Sequence, residues 1–202
     1  LGASQADGPA DARTGAGEAY IVFGRKSPAT FPATLDFVIQ GSGGADVTIY
    51  GGTLGDLLTS GGALTTGDVN GDGLADVIVG VPYNDGTGNN AGRSYVVYGQ
   101  TGTTAIDLSA VTNGVGGFAI NAQSAGDREG HCVSNAGDVN GDGFADLIVG
   151  AFTATAAGAS SGKAYVVFGS TSNAAIDLSA VANGTGGFVI NGQAAGDNTG
   201  VS

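Results

Sequence analysis

One stretch occurs twice, and nothing else in the chain restricts its fold as tightly. Gly-Asp-Val-Asn-Gly-Asp-Gly-Leu-Ala-Asp-Val-Ile-Val-Gly runs from 67 to 80, and returns with Phe144 for Leu74 and Leu147 for Val77 at 137–150, a period of 70 residues. The period holds around it. Ala-Ile-Asp-Leu-Ser-Ala-Val at 105–111 recurs at 175–181, Gly-Gly-Phe at 116–118 recurs at 186–188, and Ala-Gly-Asp at 125–127 recurs at 195–197. Tyr-Val-Val-Tyr-Gly at 95–99 returns as Tyr-Val-Val-Phe-Gly at 165–169, and more distantly as Tyr-Ile-Val-Phe-Gly at 20–24. Asp46 to Asp56 fills the place of Gly117 to Asp127. Such a chain builds one supersecondary unit several times and buries its core between neighbouring copies. The expected division of this single repeat region is a partial first unit at 1–56, a second at 57–126, a third at 127–196 and the start of another at 197–202.

Each unit carries about four strand-like runs separated by Gly, Asn, Asp and Ser clusters. For the unit ending at 169 they lie around Gly117–Ala122, Val133–Gly137, Leu147–Ala151 and Tyr165–Phe168. Val77-Ile78-Val79 and Tyr95-Val96-Val97-Tyr98 do not alternate with polar residues, so both faces of those strands are expected to be covered. No amphipathic helix pattern is available to do so, and sheets must then cover sheets. The fold class expected is all-β: propeller-type blades of about four antiparallel strands, slightly under three in number. Forty glycines suit many short strands joined by tight turns. A closed propeller needs at least about four blades. The expectation is therefore a piece of a longer array, with a complete subunit joining others head to tail as the rival.

The duplicated stretch has the donor pattern of a cation loop. Positions 1, 3, 5 and 9 are Asp68, Asn70, Asp72 and Asp76 in one copy, and Asp138, Asn140, Asp142 and Asp146 in the other. Position 7 (Leu74, Phe144) can offer its main-chain carbonyl, and position 6 is glycine (Gly73, Gly143), which frees the backbone to fold back. Hard oxygen donors in this number suit Ca²⁺ better than Mg²⁺, at about two sites. The competing reading is a metal-free Asx-turn loop, because Asp, Asn and Gly are ordinary turn residues. An EF-hand needs a Glu at position 12 and flanking helices, whereas position 12 is Val79 or Val149 inside a strand-like run.

Charge narrows the partners. Six Lys and Arg against eighteen Asp and Glu give a net charge of −12. That disfavours nucleic acid and anionic lipid. Two bound Ca²⁺ would bring −12 to about −8, compatible with a soluble surface. Cys132 is the only cysteine, so no intrachain disulfide can form. No run of eighteen apolar residues is present to span a membrane.

The Asp-x-Asn-x-Asp-Gly-x-x-Asp loop, the following Asp-Leu-Ile-Val-Gly-Ala strand and the Tyr-Val-Val-Phe-Gly strand together resemble the FG-GAP repeat. That repeat builds the N-terminal β-propeller of integrin α subunits and many bacterial surface proteins. The resemblance implies that the loop joins the first and second strands of a blade. It implies a Ca²⁺ held by Asp68, Asn70, Asp72, Leu74 and Asp76, and a second by Asp138, Asn140, Asp142, Phe144 and Asp146. Two departures stand out: inserts around Ile106–Gly117 and Ile176–Gly187, and a Gly-Ala-Pro element reduced to Gly-Val-Pro at 80–82.

Catalytic readings are weaker. Gly158-Ala159-Ser160-Ser161-Gly162 spells G-x-S-x-G, but that motif needs a strand-to-helix turn and a His partner, and His131 is the only histidine. Gly114 to Ala119 resembles a dinucleotide fingerprint without the helix that should follow. His131-Cys132 is matched by Val201-Ser202 one period later, which favours a structural role. Asp85, Asp127 and Asp197 have no spacing that selects them as an acid–base pair. The expected function is a non-enzymatic, calcium-binding module, secreted or at the cell surface, for adhesion to a protein or carbohydrate ligand or for surface assembly. Alternatives are a self-assembling fibre or sheath subunit, and part of a propeller enzyme acting on polysaccharide.

Overall fold

The computed structural model describes residues 1–7, 13–23 and 46–202. Gly24, which ends the first Tyr-Ile-Val-Phe-Gly run, and residues 25–45 of the first unit lie outside the described residues.

Among the described residues, apolar runs bounded by turn residues form thirteen short strands in three sheets. The first sheet joins β1 (Gly2–Ala3), β2 (Glu18–Ile21) and β3 (Val47–Tyr50). The second is an antiparallel meander of β4 (Leu64–Gly67), β5 (Asp76–Val81), β6 (Arg93–Val97) and β8 (Gly117–Asn121). The third repeats it with β9 (Cys132–Gly137), β10 (Asp146–Ala151), β11 (Lys163–Val167) and β13 (Gly187–Asn191). Registers repeat as well: Ile78 opposes Val96, and Ile148 opposes Val166. These are all-β, propeller-type blades, as expected.

Sheets do cover sheets. All six residues of β5 are buried. Ile78 joins Val96, Phe118 and Ile120 in a core shared with Leu147, Val149, Tyr165 and Val167 of the third sheet. Val77, Val79, Val81, Tyr95 and Val97, from the opposite face, pack with Ala19 and Ile49 of the first. The sheets come so close at Gly80 that a Cβ there would lie 1.9 Å from the Gly130 carbonyl oxygen. No other residue fits that approach.

The two inserts add to these antiparallel sheets, and they correct the expectation that no helix is available to cover them. Each contributes a two-residue strand that pairs parallel with the preceding sheet, β7 (Ile106–Asp107) on β3 and β12 (Ile176–Asp177) on β8. A five-residue helix follows each, α1 (Leu108–Thr112) and α2 (Leu178–Ala182). Leu108, Val111, Leu178 and Val181 are fully buried, so these helices close the gaps between sheets. Five residues are too few to show a helical period, which is why the pattern was invisible in the sequence. Each insert is thus a strap from one blade across the edge of the previous one. Asp107 accepts from Ser109 N at 2.9 Å as an N-cap and is paired with the Arg13 guanidinium. Asp177 accepts from Asn121 Nδ2 at 2.9 Å.

Candidate metal centre

The Asp-rich loops lie between β4 and β5 and between β9 and β10, so each joins the first two strands of its sheet. Their geometry is nearly identical, because each nine-residue turn is wound on its own side chains. Asp68 Oδ1 accepts from Asp72 N and Oδ2 from Gly73 N, both at 3.0 Å. Asn70 Oδ1 accepts from Asp72 N at 2.9 Å, and Asp72 Oδ1 from Leu74 N at 2.8 Å. The second loop repeats this with Asp138, Asn140, Asp142 and Phe144. Gly73 and Gly143 adopt φ of 84° and 93°, the left-handed conformation that the sixth position was expected to need.

Asp76 and Asp146 play a different part. Both are fully buried. Asp76 Oδ2 accepts from Val69 N at 2.8 Å and Asn70 N at 3.3 Å, while Oδ1 accepts from Gly99 N at 2.9 Å. Asp146 does the same with Val139, Asn140 and Gly169. Each carboxylate therefore staples the start of its loop to the end of the third strand. Burial pushes the Asp76 pKa up, three main-chain N–H donors pull it back, and the nearby Asp72 charge raises it further. The two loops also touch: Ala145 N donates to the Asp68 carbonyl at 3.0 Å.

Each loop contains Asx turns. Its carboxylates are turned onto main-chain N–H groups. Among the described residues no three Asp, Glu, His or Cys side chains are gathered so as to hold a metal ion. The donor set nevertheless fits a hard cation in kind. Each loop offers three carboxylates, an amide oxygen and the carbonyl of Leu74 or Phe144, and Asp68, Asp72, Asp138 and Asp142 stand at or near the surface.

The other acidic and nucleophilic candidates are not brought together. Asp85 accepts from Asn90 N, and Asp197 from Gln193 N and Ala194 N, each securing its own turn. Ser161 is buried and its Oγ accepts from Ala156 N and Ala157 N, so the G-x-S-x-G run is a loop staple. Gly114–Ala119 leads into β8 rather than a helix. His131 lies 4.4 Å, centroid to centroid, from Phe152, while Cys132 opens β9. The Arg128 guanidinium sits 5.5 Å from the Tyr83 ring centre.

Sequence reasoning missed Glu129 altogether. It is fully buried, burial pushes its pKa up to about 8, and Ser94 and Arg93 only partly oppose this. Neither of its oxygens completes a hydrogen bond. No pattern around Glu129 in the sequence signals burial, and its counterpart one period later is Thr199.

Compared with known proteins, the FG-GAP repeat model matches residues 60–97 and 133–167. A 92-residue segment is 36% identical to integrin alpha-4 of Xenopus laevis, covering 45% of this chain and 8% of that protein. The matched part is thus a small fraction of the relative's length. Both Asp-rich loops, at 68–76 and 138–146, fall inside the two segments that match the FG-GAP repeat.

Proposed function

We propose that the chain is a non-enzymatic adhesion-type module, secreted or at the cell surface, whose blades are stabilised by one Ca²⁺ in each Asp-rich loop. The observation that carries this reading is the repetition of one oxygen-rich turn, with the same internal hydrogen bonds, at the same place in successive sheets. Asp68, Asn70, Asp72, Asp76 and the Leu74 carbonyl would hold one ion, and Asp138, Asn140, Asp142, Asp146 and the Phe144 carbonyl the other. A bound cation supplies charge neutralisation and a fixed turn. The chain's part is to present the donors, with Asp76 and Asp146 already anchored on Gly99 and Gly169. Asp68, Asp72 and their counterparts accept main-chain N–H groups and keep further lone pairs on their carboxylates for an ion. Calcium binding in such a site contributes folding free energy.

The adhesive role is drawn from the FG-GAP match and the similarity to an integrin α segment. Its ligand, a protein or a carbohydrate, would meet the loops opposite the Asp-rich turns, since binding residues concentrate on loops held by a rigid scaffold. The test of the metal reading is titration calorimetry with CaCl₂ on chelator-treated protein, together with melting curves in CaCl₂ and EDTA. Two sites per chain and a higher Tm with calcium are expected. Extracellular modules bind with Kd of about 10⁻⁴ to 10⁻³ M. At about 1 mM Ca²⁺ the tighter end gives roughly 1.4 kcal/mol per site. No binding heat and superimposable melting curves would refute it.

A further inference from the structure

The straps define a docking mode used twice, and the third sheet carries an exposed copy of its receiving surface. In the seated case, Ile176 and Asp177 pair parallel with Ile120 and Asn121, Asn121 Nδ2 donates to Asp177 Oδ1, and Leu178 and Val181 bury themselves in the core that holds Phe118 and Ile120. Phe118 and Ile120 are 2% and 0% exposed as a result. Their equivalents one period on, Phe188 and Ile190 of β13, are 40% and 47% exposed. β13 is an edge strand of its sheet among the described residues, and Asn191 stands where Asn121 receives the strap. The ring contact beneath is also reproduced: Phe168 meets Phe188 edge-on at 6.2 Å, as Tyr98 meets Phe118. The surface has the backbone edge, the apolar seat and the amide, in the register that two straps already use.

We infer that the β13 edge, with Phe188, Ile190 and Asn191, is a receptor for a strap of the form Ile-Asp-Leu-x-x-Val presented by another unit of this repeat type. The occupant is specified by the existing interface. Main-chain pairing gives affinity, the Ile, Leu and Val give apolar burial, and the Asp, set against an amide, fixes register. A second copy of this chain is the poorer fit, because its straps at 106–111 and 176–181 are already seated on their own sheets. The inference stands apart from calcium binding, since no residue of the Asp-rich loops takes part.

The test fuses a second copy of residues 171–186 to the C-terminus of the full chain through a flexible Gly/Ser linker, which raises the local strap concentration to about the millimolar range. Amide hydrogen exchange is then followed in Gly187–Asn191. The expected result is slowing by about tenfold or more relative to the unfused chain, absent when the order of residues in the fused strap is scrambled. Ile190→Asp should abolish the slowing with an unchanged circular dichroism spectrum, and Ile190→Ser replaces it if the Asp variant unfolds. No slowing, or equal slowing by the scrambled strap, overturns the proposal. So does self-association of the unfused chain that Ile190→Asp abolishes, because the face would then be covered by a second copy.

Discussion

Glu129→Gln removes an ionisable carboxyl and almost nothing else, and it should erase one pH dependence of folding. Glu129 is fully buried and its pKa is pushed up to about 8. Arg93 and Ser94 on β6 face it and oppose the shift, while Tyr165 on β11 feels its charge from the other sheet. In the unfolded chain the same carboxyl titrates near its ordinary value. The folded state therefore holds a proton that the unfolded state has lost between roughly pH 4.5 and 8. The contribution is fully present below the unfolded pKa and is lost as pH rises through the folded one. At about 1.4 kcal/mol per pH unit, the shift from 4.5 to about 8 amounts to roughly 5 kcal/mol, an upper figure if water reaches the carboxylate on ionisation. Gln keeps the shape and cannot ionise. Urea unfolding followed by circular dichroism at pH 5, 6, 7, 8 and 9 measures the difference between variant and parent, in which other titrating groups cancel. The variant should gain on the parent steadily up to about pH 8 and then level off. A difference independent of pH would refute the reasoning, and so would a variant that loses ground in alkali.

Further expectations concern the loops, the sheet contacts and the straps. Asp72→Ala and Asp142→Ala should each halve the calorimetric calcium stoichiometry while leaving the other loop's binding heat intact. Gly80→Ala places a methyl 1.9 Å from the Gly130 carbonyl and should destabilise by about 3 kcal/mol or more in urea unfolding. Leu178→Ala empties a fully buried site between two sheets and should cost roughly 2–5 kcal/mol, or a Tm lower by several degrees. The exposed Leu54→Ala, by contrast, should change the Tm little.

What could be read from the sequence, and what could not, divides along the range of the interactions. Loop positions 68–76 and 138–146 are governed by residues within nine positions of each other, and the strands around Val77–Val79 and Tyr95–Val97 by local apolar runs, so both were legible. The repeat also revealed that sheets must cover sheets, because Val77-Ile78-Val79 has no polar face to give to water. Tertiary structure alone decided that 106–112 and 176–182 become straps, since a two-residue parallel strand and a five-residue helix have no stability of their own. Their form comes from the slot between two sheets, where Leu108 and Leu178 lose all contact with water. It likewise decided that Asp76 and Asp146 act as staples to Gly99 and Gly169, partners 23 residues away. And it decided that Glu129 is buried: a lone acid in a polar turn looks like a surface residue until the neighbouring sheet closes over it.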